Sequence, residues 1–143
     1  MNKLSAGLKV VLMISIVLGI IFRFDQLGSK LYWEDEAFTS LRVAGYTRQA
    51  LIEANFTGHL IDVHDLKQFQ SSDSGQTIFD TIKSLADDVH PPLYFVLLRV
   101  WASCFGNSIA LLRSFSALMG CLLIACLFLL TRELSGSIRC AWF

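Results

Sequence analysis

The sequence predicts an all-α membrane protein: two transmembrane helices flanking an external region of helices and loop, with a juxtamembrane helix ahead of the second span. Three observations predict it. Two uncharged apolar runs, Val10 to Phe22 and Ser114 to Thr131, lie towards opposite ends of the 143-residue chain. The stretch between them is acidic: Arg23 to Asp88 holds eleven acidic and six basic residues, although the whole chain is formally neutral. That stretch carries helical stripes of apolar residues and no β-alternation of any length. With 54% hydrophobic and 17% charged residues and a mean hydropathy of +0.54, the chain is more apolar than a soluble domain usually is. Its length fits one small domain or a piece of a larger one.

The first run, extended back to Leu4, takes in one charge, Lys9, and reaches 19 residues. At about 1.5 Å per residue that approaches the ~30 Å hydrocarbon core, and Lys9 can snorkel to the headgroups. A cleaved leader is the other reading. No small-x-small cleavage site follows, since the chain continues Arg23-Phe24-Asp25-Gln26, which favours a retained anchor. The second run is bounded by Arg113 and Arg132 and carries the small residues Ala117, Gly120 and Ala125, as packed helices in lipid tend to.

Between these runs, Pro91 to Phe105 is apolar but interrupted by Arg99. Its core, Leu93 to Phe105, would be a helix of ~20 Å, short for a span, and an arginine at the bilayer centre is costly. Charge bias decides between two crossings and three. Lys3 and Lys9 precede the first span, and Arg132 and Arg139 follow the last, so both termini are expected in the cytoplasm of an inner or plasma membrane protein. That needs an even number of crossings and places Arg99 and Trp101 at an interface. The expected organisation is then 1–22, a cytoplasmic tip and first span; 23–90, the external acidic region; 91–107, the juxtamembrane helix; 108–131, the second span; and 132–143, a cytoplasmic end.

Within the external region, Asp35 to Asn55 carries an apolar stripe (Phe38, Leu41, Val43, Tyr46, Ala50, Leu51) that predicts a helix. Asn55 to Gly75 is polar and rich in Gly and Ser, which predicts a loop. Ile78, Phe79, Ile82, Leu85 and Ala86 predict a short second amphipathic helix. No basic patch lies on a soluble surface, which excludes a nucleic-acid binder. The four cysteines (Cys104, Cys121, Cys126, Cys140) sit in or beside apolar segments with no metal spacing and read as small packing residues.

Asp35 and Glu36 follow Tyr32-Trp33 just beyond the first span. Adjacent residues on a helix point about 100° apart, so one carboxylate can face a site while the other caps or pairs. The plainer reading is an acidic helix start, with Glu34, Asp35 and Glu36 at the positive end of the dipole. His90-Pro91-Pro92 precedes the short apolar helix, with Asp87 and Asp88 nearby; prolines fix the entry to a helix, and an ordinary cap is again the plainer reading. His59, Asp62, His64 and Asp65 lie close together but match no familiar metal-ligand spacing. Asn55-Phe56-Thr57 fits an N-glycosylation sequon.

Taken in order, the chain runs apolar span, W-x-D-E (Trp33 to Glu36), polar loop, D-V-H-P-P-L-Y-F (Asp88 to Phe95), apolar helix, F-G-N-S, and L-L-R-S-F-S-A-L-M-G (Leu111 to Gly120) leading into a helix that ends T-R-E-L-S-G. This resembles the N-terminal part of a polytopic membrane glycosyltransferase of the C superfamily, the group of protein O-mannosyltransferases and aminoarabinose transferases, over about residues 8 to 136. The resemblance implies a polyprenyl-phosphate-linked sugar donor held at the membrane lipid, and transfer of its sugar to an acceptor hydroxyl on the external face, often with a divalent metal (Mg or Mn). It implies Asp35 as general base or metal-linked carboxylate with Glu36 as its neighbour. It implies His90 and Tyr94 as substrate contacts, and Arg99 and Arg113 as partners of lipid phosphate or interfacial anchors. Family members continue through further spans. The chain is therefore expected to be a fragment, inactive without the remaining C-terminal part of the enzyme. The competing reading is a small non-catalytic membrane protein whose external acidic loop binds a partner or a cation.

Overall fold

A computed structural model describes residues 4–86 and 90–138. Lys3, Asp87, Asp88, Arg139 and Cys140, which entered the charge, motif and cysteine arguments, lie outside the described residues. Among the described residues the chain is all-α, with seven α-helices and one 3-10 turn. It divides into two compact units, one formed by the chain up to Leu27 and from Arg113 onward, the other by Gly28–Leu112.

The first unit contains the two long apolar helices. Helix α1, Leu4–Phe24, has 21 residues, and α7, Ile109–Ser135, has 27, its first turn belonging to the second unit. Both are long and apolar enough to cross a membrane. Their large side chains, Val11, Ile14, Ile21, Leu123, Leu127 and Leu130 among them, are exposed. The Arg113 guanidinium donates to the Leu27 carbonyl at 2.6 Å. The Arg23 side chain lies across α7 at Gly120, where it leaves no room for a Cβ.

Among the described residues the second unit holds five whole helices and the 3-10 turn. Helix α2, Glu34–Val43, starts where Trp33 turns to extended backbone (φ −90°, ψ 161°). Indole has no acceptor, so the start is held from the other side: the Glu36 carboxylate accepts from the Trp33 N–H at 3.0 Å, the reciprocal half of a capping box. The stripe predicted to continue to Asn55 is broken at Gly45. There the Gly45 N–H donates to the Arg42 carbonyl (3.0 Å) and the Tyr46 N–H to the Leu41 carbonyl (3.1 Å), a Schellman stop with Gly45 in the left-handed region at φ +87°. A Cβ on Gly45 would also lie 2.8 Å from Gln76 Cβ. Helix α3, Arg48–Asn55, restarts from Thr47, whose hydroxyl accepts from the Ala50 N–H at 3.1 Å.

The stretch read as loop contains more order than its composition predicts. Asp62 accepts from the His64 N–H at 3.0 Å, and Asp65 accepts from the Asp62 N–H at 3.3 Å. These bonds cap helix α4, Val63–Lys67, which runs into the 3-10 turn Gln68–Gln70. Phe69 anchors that turn; it is buried, with its ring 4.7 Å from Tyr46 in edge contact. Helix α5, Ile78–Ser84, matches the second predicted stripe.

Helix α6, Pro92–Phe105, buries Phe95, Leu98, Arg99 and Ala102, the i, i+3, i+4, i+7 pattern of a core-facing stripe, and packs on α2 and α5. Here the structure corrects an expectation. Arg99 does not sit at an interface; it is 4% exposed. Its guanidinium donates to the Val43 and Gln76 carbonyls and to Thr81 Oγ1, the last at 3.1 Å. Val43 is the last residue of α2, where carbonyls lack helical partners and a cation is favoured. Trp101 likewise turns inward: it is half-buried, donates Nε1–H to the Leu111 carbonyl at 3.0 Å, and rests on Phe105. Helix α6 is therefore a core helix of this unit, with Leu93, Leu97, Val100 and Phe105 on its exposed side.

Candidate functional site

The side chains that matter come from one face of α2 and the start of α6. Asp35, Phe38, Thr39 and Arg42 follow the i, i+3, i+4, i+7 spacing that puts them on one helix face. His90 and Pro91 lead into α6, and Tyr94 and Phe95 lie in its first turn. Together these eight residues line a groove of about 480 Å³, within the usual range for small-molecule sites. Pro91 enters at φ −61° as N-cap and Pro92 takes the first helical position, where a missing N–H costs nothing. The rigid entry holds His90 beside the helix it precedes.

Phe95 is the hub of the groove. It is buried, and three functional groups surround its ring. The Arg42 guanidinium carbon lies 5.7 Å from the ring centre. The His90 imidazole stands edge-on at 6.1 Å and the Tyr94 phenol at 5.4 Å. Arg42 also lies 5.8 Å from the Phe38 ring centre. Aromatic faces thus hold a planar cation whose five N–H donors suit an oxyanion. Asp35 supplies a carboxylate on the same groove. The arrangement sets a carboxylate, a guanidinium, an imidazole and a phenol around one open space.

Of the residues expected from sequence, the structure brings Asp35, His90 and Tyr94 together. Glu36 turns away, its carboxylate held on the Trp33 N–H; of the adjacent pair, one faces the groove and the other caps. Arg99 is buried in the core on backbone carbonyls, so we withdraw it as a partner of lipid phosphate. Arg113 belongs to the other unit and holds the Leu27 carbonyl. Arg42 was missed by sequence reasoning. Its signal was its place seven residues after Asp35, two turns along the same face.

Among the described residues, no three His, Cys, Asp or Glu side chains converge, Asp35 is the one acidic residue lining the groove, and Asp62 and Asp65 serve as helix caps. Asn55 of the sequon is 6% exposed and donates Nδ2–H to the Leu51 carbonyl at 2.9 Å, so its amide is withdrawn from modification. Cys104, Cys121 and Cys126 are free thiols.

Asp80 shows how the unit holds its charges. Its carboxylate accepts from the Thr77 N–H at 2.7 Å and the Thr77 hydroxyl at 2.6 Å. These bonds, with smaller help from Lys83 and Arg99, hold its carboxyl below the ordinary 3.8. The folded state therefore favours the ionised form. That stabilisation is present above pH 3.8 and is lost as pH falls through the lower folded value. Unfolding by urea along an acid series should show a midpoint that drops in this window, and Asp80→Asn should flatten the drop.

No family model, curated protein or solved structure matches the chain.

Proposed function

We propose that this chain is the amino-terminal part of an integral-membrane glycosyltransferase that moves a sugar from a polyprenyl-phosphate donor to an acceptor hydroxyl outside the membrane. Helices α1 and α7 are its two spans, both termini are cytoplasmic, and the unit Gly28–Leu112 faces outward. The observation that carries the reading is the gathering of Asp35, Arg42, His90 and Tyr94 on one groove. The motifs around Trp33 to Glu36 and Asp88 to Tyr94 are those of the resemblance, and the groove joins residues from both.

Each group has a role in that reaction. An acceptor hydroxyl is a poor nucleophile until a base takes its proton, and the Asp35 carboxylate is that base. The donor's phosphate carries the charge that develops as the sugar leaves. Arg42, stacked and planar, meets it with charge-assisted hydrogen bonds. His90 and Tyr94 position the acceptor or the phosphate. In the family that the motifs resemble, further spans complete the substrate cavity, so the activity belongs to the assembled enzyme.

The test uses native membranes from cells expressing the gene and a photoactivatable polyprenyl-phosphate sugar. Labelling should fall on peptides containing Asp35 to Arg42 or His90 to Phe95. Arg42→Gln should weaken it about 10- to 100-fold, the loss of one or two charged hydrogen bonds at about 1.5–3 kcal/mol. Labelling confined to other peptides, or unchanged by the substitution, rejects the reading.

A further inference from the structure

Helix α6 turns its charge inward and its apolar residues outward. Leu93, Leu97, Val100 and Cys104 recur at the spacing of one helix face, and all four are exposed. Phe105 extends the patch at the helix end and is 58% exposed. Arg99 is the one charged residue of α6. It lies on the buried side, bonded to backbone carbonyls.

The other whole helices of this unit do the reverse. Helix α2 exposes Glu34 and Asp35, α3 exposes Arg48 and Glu53, α4 exposes Asp65 and Lys67, and α5 exposes Lys83. Among these five helices α6 alone exposes no charged side chain. An uncharged apolar stripe left in water forfeits the free energy of burying it. Lipid reverses the preference. Helices in lipid present apolar side chains outward, while their arginines turn into the protein and pair with backbone carbonyls. Arg99 does this.

The place of α6 in the chain points to the same partner. Three residues, Gly106 to Ser108, separate it from α7, whose first turn belongs to the same unit. Trp101 fastens the two by donating Nε1–H to the Leu111 carbonyl at 3.0 Å. The end of the stripe is therefore held at the start of a 27-residue apolar helix.

We propose that the exposed face of α6 docks on the lipid bilayer, with its side chains about 5–10 Å into the boundary between headgroups and acyl chains. At about 1.5 Å per residue the helix is about 21 Å long, too short to cross but long enough to lie along the surface. The proposal rests on α7 as a span, which brings this unit to the membrane, and goes beyond it by assigning lipid as the partner of α6.

The test uses the full chain in phosphatidylcholine vesicles, with its four cysteines replaced by alanine and a nitroxide spin label on one new cysteine. Leu97→Cys and Val100→Cys report on the stripe, Glu53→Cys on a charged face of the same unit, and Leu127→Cys on α7. All four positions are exposed, so the variants should fold, which circular dichroism checks. Collisions with oxygen, an apolar solute that concentrates in lipid, and with a water-soluble nickel complex read the surroundings of each label. The Leu97→Cys and Val100→Cys labels should meet the nickel complex about tenfold less often than the Glu53→Cys label, and oxygen more often. Equal nickel collisions at all three overturn the proposal. So does poor access to both reagents on the stripe, which would mean that a second copy of the chain covers it. A Leu127→Cys label in lipid with the α6 labels in water would sink this proposal alone. The α6 labels in lipid with Leu127→Cys in water would sink the spanning reading alone.

Discussion

Replacing Arg99 by methionine is expected to unfold the Gly28–Leu112 unit. The side chain is 4% exposed, and its guanidinium ties α6 to the end of α2 at Val43 and to the start of the α5 region at Gln76 and Thr81. Methionine has similar length but no donor, so it strands the half-buried Gln76 carbonyl and leaves the Val43 carbonyl with only the long 3.4 Å bond from the Thr81 hydroxyl. Each stranded group costs about 1–3 kcal/mol, and the lost cation at the α2 terminus adds about 0.3–1. A total of about 2–7 kcal/mol is a large part of the 5–15 kcal/mol that holds a typical domain. Burial pushes the Arg99 pKa down, and the neighbouring Asp80 carboxylate opposes that shift; the group remains a cation at any working pH. Lysine in its place keeps the charge but cannot bridge three acceptors with a planar fork, so Arg99→Lys should recover only part of the loss. Hydrogen exchange on the full chain in detergent reads this directly. Amides of α2 and α5 should lose protection by a factor of about 100 or more in Arg99→Met. Unchanged protection would remove Arg99 from the core role given to it here.

Arg99 also shows where sequence reasoning stopped. An arginine inside an apolar helix reads as an interfacial anchor when its partners are unknown. The actual partners are backbone carbonyls, which leave no mark in a sequence. The long apolar helices were legible because composition alone defines them, and α5 because its stripe is regular. The break of the Asp35 to Asn55 stripe was partly legible: Gly45 is a helix-stop residue, and Thr47 ahead of Arg48 is a helix start. The apolar stripe runs through both, which masked the stop. Helix α4 was hidden because its caps are carboxylates in a stretch whose Gly and Ser content reads as loop.

The site followed a similar division. That Asp35 and Glu36 would part company was predictable from helix geometry, and the structure assigns the parts: Glu36 caps, Asp35 faces the groove. That His90 and Tyr94 would join Asp35 came only from the resemblance, since fifty-five residues separate Asp35 from His90 and no local rule brings them together. Arg42 was legible in principle. Phe38, Thr39 and Arg42 follow Asp35 at the spacing of one helix face, and reading that face for its polar members as well as its apolar ones would have found it.

The second large effect concerns Asp35 itself. In native membranes, Asp35→Asn is expected to lower sugar transfer by about 10²- to 10⁴-fold, the usual contribution of a positioned general base. Asparagine is nearly the same shape, so the groove keeps its form, but its amide cannot take up the acceptor proton. Asp35 is exposed and lies in the first turn of α2. Removing its charge there forfeits a dipole interaction of at most about 1 kcal/mol, too little to unfold the unit. Donor labelling depends on Arg42 and should survive. The contrast with its neighbour sharpens the test. Glu36→Gln keeps an acceptor for the Trp33 N–H and loses only charge, so it should cost about 0.5–1 kcal/mol of stability and less than tenfold in transfer. A general base at position 35 requires that order of effects. Equal rates for Asp35→Asn and the parent would refute it, and so would a larger loss in Glu36→Gln than in Asp35→Asn.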